Sequence, residues 1–166
     1  MSKDKGFTLI ETLVAVGVLA ILIVTVGGIL TMSFKAKNTT ENNELMSSRA
    51  VFVLGELKKN ILDAQVGEII CPVDVGNSIS FGTKSGGVTT LLCDEASGQV
   101  ASVSASGSYD YMDNRVRIQN CHDFVWCNQS PDLQTLSIGF SLNLAVGDSD
   151  GIGSTGVFYG VVTPRN

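Results

Sequence analysis

Hydrophobic and polar positions divide the chain into three stretches of different periodicity. From Thr12 to Phe34 (TLVAVGVLAILIVTVGGILTMSF), 23 residues pass without a charge, and apolar side chains fall at every angular position of a helix. At ~1.5 Å per residue such a helix is ~35 Å long, enough to cross a hydrocarbon core ~30 Å thick. Apolarity on all sides suits lipid or a packed bundle of helices better than a surface helix. The run is too long for the core of a secretory signal, and no A-x-A-like cleavage site follows it. Lys35 to Asn43 is then polar and free of proline, and beyond it Val51, Leu54, Leu57, Ile61 and Ala64 recur at helical spacing. Together these predict one helix from about residue 7 to 66, amphipathic over residues 35–66, with Gly67 and Pro72 marking its end.

After that point the period changes from helical to alternating. Ile79 and Phe81 alternate, as do Val116 and Ile118, then Phe124 and Trp126. The clearest run is Leu136, Ile138, Phe140, Leu142, Leu144 and Val146, with Ser, Gly, Asn and Ala between them, the pattern of a half-buried antiparallel strand. Val157 to Val162 predicts a last strand, and the small, polar segment Ala96 to Ser108 is either a strand pair or a surface loop, with an edge strand leading into a loop the favoured form. The expected architecture is α+β: a long N-terminal helix, its second half packed on an antiparallel sheet formed by residues 67–166.

Composition sharpens this division. The 166 residues are 44% hydrophobic and 16% charged, with a formal net charge of −5. Residues 7–34 hold 19 of the 73 hydrophobic residues, so the remaining 138 positions carry 54, an ordinary share for a small folded domain. Residues 35–166 contain nine basic and fourteen acidic side chains, so the acidity belongs to the polar part of the chain. The basic residues Lys58, Lys59, Lys84, Arg115 and Arg117 are scattered, which argues against a nucleic-acid surface. No nucleophile motif or phosphate loop stands out, and with one histidine a Ser–His–Asp arrangement has no support. No enzyme activity and no cofactor are expected.

One carboxylate, Glu11, opens the apolar run. An ionised acid at mid-bilayer depth costs ~2.5–3.5 kcal/mol and normally has a partner, yet no Lys, Arg or His lies between Lys5 and Lys35. The flanking cations, Lys3 and Lys5 before the run and Lys35 and Lys37 after it, leave the orientation undecided by positive-inside counting. The segment MSKDKGFTLIETLVAVGVLAIL resembles a type IV prepilin signal: a short charged leader ending in Gly6, then Phe7-Thr8-Leu9-Ile10-Glu11, then an uninterrupted apolar helix.

The resemblance implies a definite chemistry. A membrane-embedded prepilin peptidase cuts after Gly6 and methylates the new amine of Phe7, removing residues 1–6 as a leader. Glu11 then pairs with the Phe7 amine of a neighbouring subunit, so that two costly buried charges offset each other. Residues 7–34 form the transmembrane and filament-core segment in the bacterial inner membrane, the N-terminus is cytoplasmic, and the head lies outside. Many members bend the apolar helix at a proline; this chain has Gly27-Gly28 instead, a pair that permits a bend or local melting.

Cys71, Cys93, Cys121 and Cys127 would all lie outside the membrane, where an even count suggests two disulfides. Four cysteines allow three connectivities; proximity in sequence favours Cys71–Cys93 with Cys121–Cys127 across a turn. Principal pilins often close a loop with a cysteine near the C-terminus, whereas 39 residues follow Cys127 here. Asp148 and Asp150 lie in a Gly147–Gly153 segment that resembles the calcium loop of some pseudopilins, but the spacing does not fit an EF-hand and a hairpin turn accounts for it. Zinc is disfavoured because the Cys spacings match no common finger, and His122 reads as a surface or strand histidine.

The resemblance therefore points to a minor pilin of a type IV filament. The alternatives are a pseudopilin of a type II secretion system, other than the tip subunit that lacks the glutamate, and a membrane-anchored adhesin that never polymerises. Partners implied are prepilin peptidase, other pilin or pseudopilin subunits and the inner membrane.

Overall fold

A computed structural model describes residues 8–130, 135–147 and 153–164. The apolar and polar stretches join in one helix, α1 (Leu9–Leu62), followed by ten strands among the described residues. The chain divides between Thr40 and Glu41 into two compact units. In the first, the apolar side chains of α1 from Leu9 to Phe34 are exposed on every face, Leu9 at 82% and Met32 at 74% among them. Their hydroxyl-bearing neighbours are satisfied within the helix: Thr12 Oγ1 donates to the Leu9 carbonyl (2.8 Å), Thr25 to Leu22 (2.9 Å), Thr31 to Gly28 (2.9 Å) and Ser33 to Ile29 (2.9 Å). Hydroxyls bonded within the helix in this way are compatible with lipid. Helical structure runs unbroken through Gly27 and Gly28.

The second unit begins with the remainder of α1, which buries Met46, Ala50, Val53, Leu57 and Ile61 at spacings of four, three, four and four. This corrects the expected face. Leu57 and Ile61 are buried as predicted and Leu54 is half-buried, but Val51 is 68% exposed. The run Ala50-Val51-Phe52-Val53-Leu54 is apolar throughout, so two stripes could be drawn through it, and tertiary packing selects the one through Ala50 and Val53. Phe52, left outside, is capped by the Arg49 guanidinium 5.4 Å from its ring centre.

α1 also stops earlier than its punctuation suggested. The Asp63 N–H closes the last helical bond on the Lys59 carbonyl (3.0 Å), and Ala64 already pairs with Thr83. Gly67 sits inside β1 (Ala64–Ile70), within a register shift between Ala64 and Ile69. It marks a strand irregularity rather than a helix end, the other common meaning of a glycine between periodic runs.

The strands form two antiparallel sheets. The first has the order β1, β3 (Ser78–Thr83), β4 (Val88–Asp94), β5 (Gln99–Ser104) and β6 (Gly107–Asp110). The second has the order β10 (Ser154–Val162), β9 (Leu136–Val146), β8 (Val125–Gln129) and β2 (Val75–Gly76), with β7 (Val116–Asn120) also on β9. The segment 96–108 is thus not an edge strand running into a loop. Its β5 is an interior strand between β4 and β6, and Gly107, with φ of +139°, takes the backbone conformation that a side chain would resist.

The period-two run predicted from Leu136 to Val146 is β9, whose Ile138, Phe140, Leu142, Leu144 and Val146 face one core with α1 and with Ile79, Phe81, Leu91 and Val100 of the first sheet. Phe140 meets Phe124 with ring centres 5.7 Å apart. On the opposite face, Trp126 of β8 lies over Gly139 so closely that a Cβ there would come within 2.1 Å of the ring. Gly139→Ala should therefore destabilise the head by ~1–3 kcal/mol through overpacking, read as a lower denaturation midpoint with altered fluorescence of the single tryptophan.

Candidate functional site

Within the first unit the conspicuous polar constellation is at the start of α1. Thr8 is the residue before the helix and Glu11 lies in its first turn. The Thr8 backbone N–H donates to Glu11 Oε2 (3.0 Å) and Thr8 Oγ1 donates to the same oxygen (3.0 Å). The Glu11 N–H reaches back to Thr8 Oγ1 at 3.4 Å, and the N–H groups of Glu11 and Thr12 approach the Thr8 carbonyl at 3.1 and 3.3 Å. Thr-Leu-Ile-Glu is a reciprocal capping box, in which the threonine serves the first turn and the glutamate serves the threonine N–H. A negative charge here also complements the helix dipole.

Thr8 is the residue that sequence reasoning missed. Its signal was present, since a Thr three residues ahead of a Glu before an apolar run is a helix-start signature. Glu11 Oε1 has no hydrogen-bond partner among the described residues, so the capping contacts use only one of the two carboxylate oxygens. Gly6 and Phe7, the expected cleavage and methylation positions, lie outside the described residues, as do Asp148 and Asp150.

In the second unit all four cysteines are oxidised, but not in the expected pairs. Cys71 bonds Cys127 (Cα–Cα 6.0 Å) and Cys93 bonds Cys121 (5.6 Å). The reason lies in strand pairing. β2 pairs with β8 through Val75 and Trp126, which carries the preceding Cys71 to the neighbour of Trp126, Cys127. Cys121 begins a turn closed by the Phe124 N–H on its own carbonyl (3.2 Å), whereas Cys127 is already in extended β8, out of reach. Each disulfide ties the first sheet or its exit to the second, with Cys93 and Cys121 in the core.

α1 is also held by polar contacts. Asn60 Nδ2 donates to the Tyr111 hydroxyl (3.0 Å), and Arg49 forms an ion pair with Asp113 (3.1 Å). Partial burial pushes the Asp113 carboxyl upward, but the N–H groups of Arg115 (2.8 Å) and Val116 (3.0 Å), with the charges of Arg49 and Arg115, outweigh it and hold it below the usual aspartate range. A depressed folded-state pKa stabilises above the unfolded value, near 3.9, and that contribution disappears as pH falls through the folded value. Asp113→Asn should flatten the acid limb of a denaturation-midpoint profile below about pH 4 while changing little in its slope near neutrality.

His122 is exposed, with Nδ1 2.8 Å from Asp123 Oδ1. Among the described residues no three His, Cys, Asp or Glu side chains gather as a metal site. One described helix, α1, is long and apolar enough to cross a membrane. Residues 1–27 match the family model of the prokaryotic N-terminal methylation motif. No curated protein and no solved structure matches the chain.

Proposed function

We propose that this type IV pilin-like prepilin is a minor pilin, a structural subunit that enters an extracytoplasmic filament through its N-terminal helix. The observation that carries the reading is Glu11, a carboxylate held at the head of a charge-free membrane-length helix with one oxygen uncommitted among the described residues. Cleavage between Gly6 and Phe7 by prepilin peptidase creates an amine beside the apolar run, which has no Lys, Arg or His between Lys5 and Lys35, and the N-methylated Phe7 of a neighbouring subunit supplies the cation for Glu11. The side chains around the helix, exposed in a single chain, become the contact surface of a filament core. Placing the head outside the cytoplasm suits its two disulfides, which persist in oxidising compartments.

The test is the mass of the mature chain in cells with active peptidase. A chain beginning at N-methylated Phe7 and present in sheared surface filaments, below the amount of a principal subunit, is the expected result. An intact Met1 would overturn the prepilin chemistry. Processed chain confined to the envelope of secreting cells would point instead to a secretion pseudopilin.

A further inference from the structure

The terminal strands of the two sheets are not equally protected. β1 is interrupted by a register shift and carries Glu68; β6 has four residues and ends in Asp110; β2 has two residues; β7 is irregular and carries Arg117. Short length, charge and bulges are how sheet edges avoid pairing with other chains. β10 has none of these. Its nine residues, STGVFYGVV, contain no charge and no proline, and all nine pair with β9 in unbroken register from Ser154–Val146 to Val162–Ile138. Among the described residues β9 is its only strand partner. Three of its four outward side chains are also apolar: Val157 is 49% exposed, Tyr159 69% and Val161 55%.

We propose that β10 is an interface strand that pairs antiparallel with β10 of a second copy of this chain. The strand is its own complement. Paired strands must match outward with outward residues, since a one-residue slip opposes the two faces. A twofold centred on Phe158 meets that condition and is the register that pairs all nine residues. It sets Val157 against Tyr159 of the second copy, Thr155 against Val161, and Gly156 against Gly160. Apolar cross-strand neighbours of this kind stabilise a pair, and an uncharged strand meets no like charge in its copy. Anchoring two copies in one membrane raises the local concentration at which this contact forms.

Photocrosslinking in cells tests this on the full-length chain. With Tyr159 replaced by p-benzoylphenylalanine, irradiation should give an adduct of twice the chain mass, mapped by mass spectrometry to residues 155–161 of the other copy. The same probe at Tyr109, exposed on β6, should give at least tenfold less. Adding Val157→Lys and Val161→Lys, both at exposed positions, should reduce the Tyr159 adduct at least tenfold while both disulfides still form. Adding Glu11→Ala should leave it detectable, which separates this contact from helix-driven assembly. No adduct, an adduct with a different protein, or one insensitive to the lysines would overturn the proposal.

Discussion

Glu11→Ala is expected to reduce incorporation into filaments at least tenfold while leaving cleavage at Gly6 largely intact. Removing one member of a buried ion pair costs ~3–5 kcal/mol because the other charge is stranded, and each ~1.4 kcal/mol is a factor of ten in an equilibrium. Tenfold is thus a lower bound if the Phe7 amine of a neighbour depends on this carboxylate. The capping box supplies a competing account of the same residue. Loss of the cap alone costs ~1 kcal/mol, so alanine could impair assembly by fraying the helix start.

Glu11→Gln and Thr8→Ala separate the two accounts. Glutamine also serves at the third position of a capping box, so it keeps the contacts to Thr8 and removes the charge. Thr8→Ala keeps the charge and removes the hydroxyl that reaches Glu11 Oε2. Charge pairing requires Glu11→Gln to assemble as poorly as Glu11→Ala and Thr8→Ala to lose only a few-fold. The reverse order, with Glu11→Gln near wild type, would reduce Glu11 to a helix cap. The measurement is the ratio of processed chain in sheared filaments to that in the membrane fraction. The two roles are compatible in geometry, because both Thr8 donors use Oε2 and neither engages Oε1.

What was legible in the chain follows from the range of the interactions concerned. The apolar run, the α+β order and β9 depend on patterns within a few turns or one strand, and each was readable from residue spacing. The choice between stripes through Val51 or Val53 was not, because five adjacent apolar residues satisfy both and only the sheets decide. Gly67 was misread because a glycine after a helical pattern and a glycine in an irregular strand look alike without the partner strand. The cysteine pairing failed for the same reason: sequence proximity joins Cys121 to Cys127, while the β2–β8 ladder brings Cys71 to Cys127 across 56 residues. At the site, the glutamate was evident from its isolation. Thr8 is legible only through the spacing Thr-x-x-Glu, which the charge of Glu11 does not single out.

Loss of the core disulfide should cost the head more than loss of the peripheral one, although its loop is shorter. Chain entropy alone predicts the opposite order. Closing loops over separations of 28 and 56 residues is worth ~3.5 and ~4 kcal/mol respectively, a difference of ~0.6 kcal/mol for a doubling. Burial acts the other way. Cys93 and Cys121 are 3% and 5% exposed and pack with the core, whereas Cys71 and Cys127 are only half-buried against it. Replacing the inner pair by alanine therefore adds lost packing to lost cross-linking, and each buried methylene-sized group is worth ~0.8 kcal/mol. Cys93→Ala with Cys121→Ala should destabilise the head by ~4–5 kcal/mol, against ~4 kcal/mol for Cys71→Ala with Cys127→Ala. Equilibrium urea unfolding of the full chain in detergent, followed by Trp126 fluorescence, reads both. A domain holds only ~5–15 kcal/mol in total, so removing both bridges should leave little folded head at 37 °C. If the outer pair proves the costlier by the entropic margin, the core around Cys93 and Cys121 relaxes to fill the space, and cross-linking is their whole contribution.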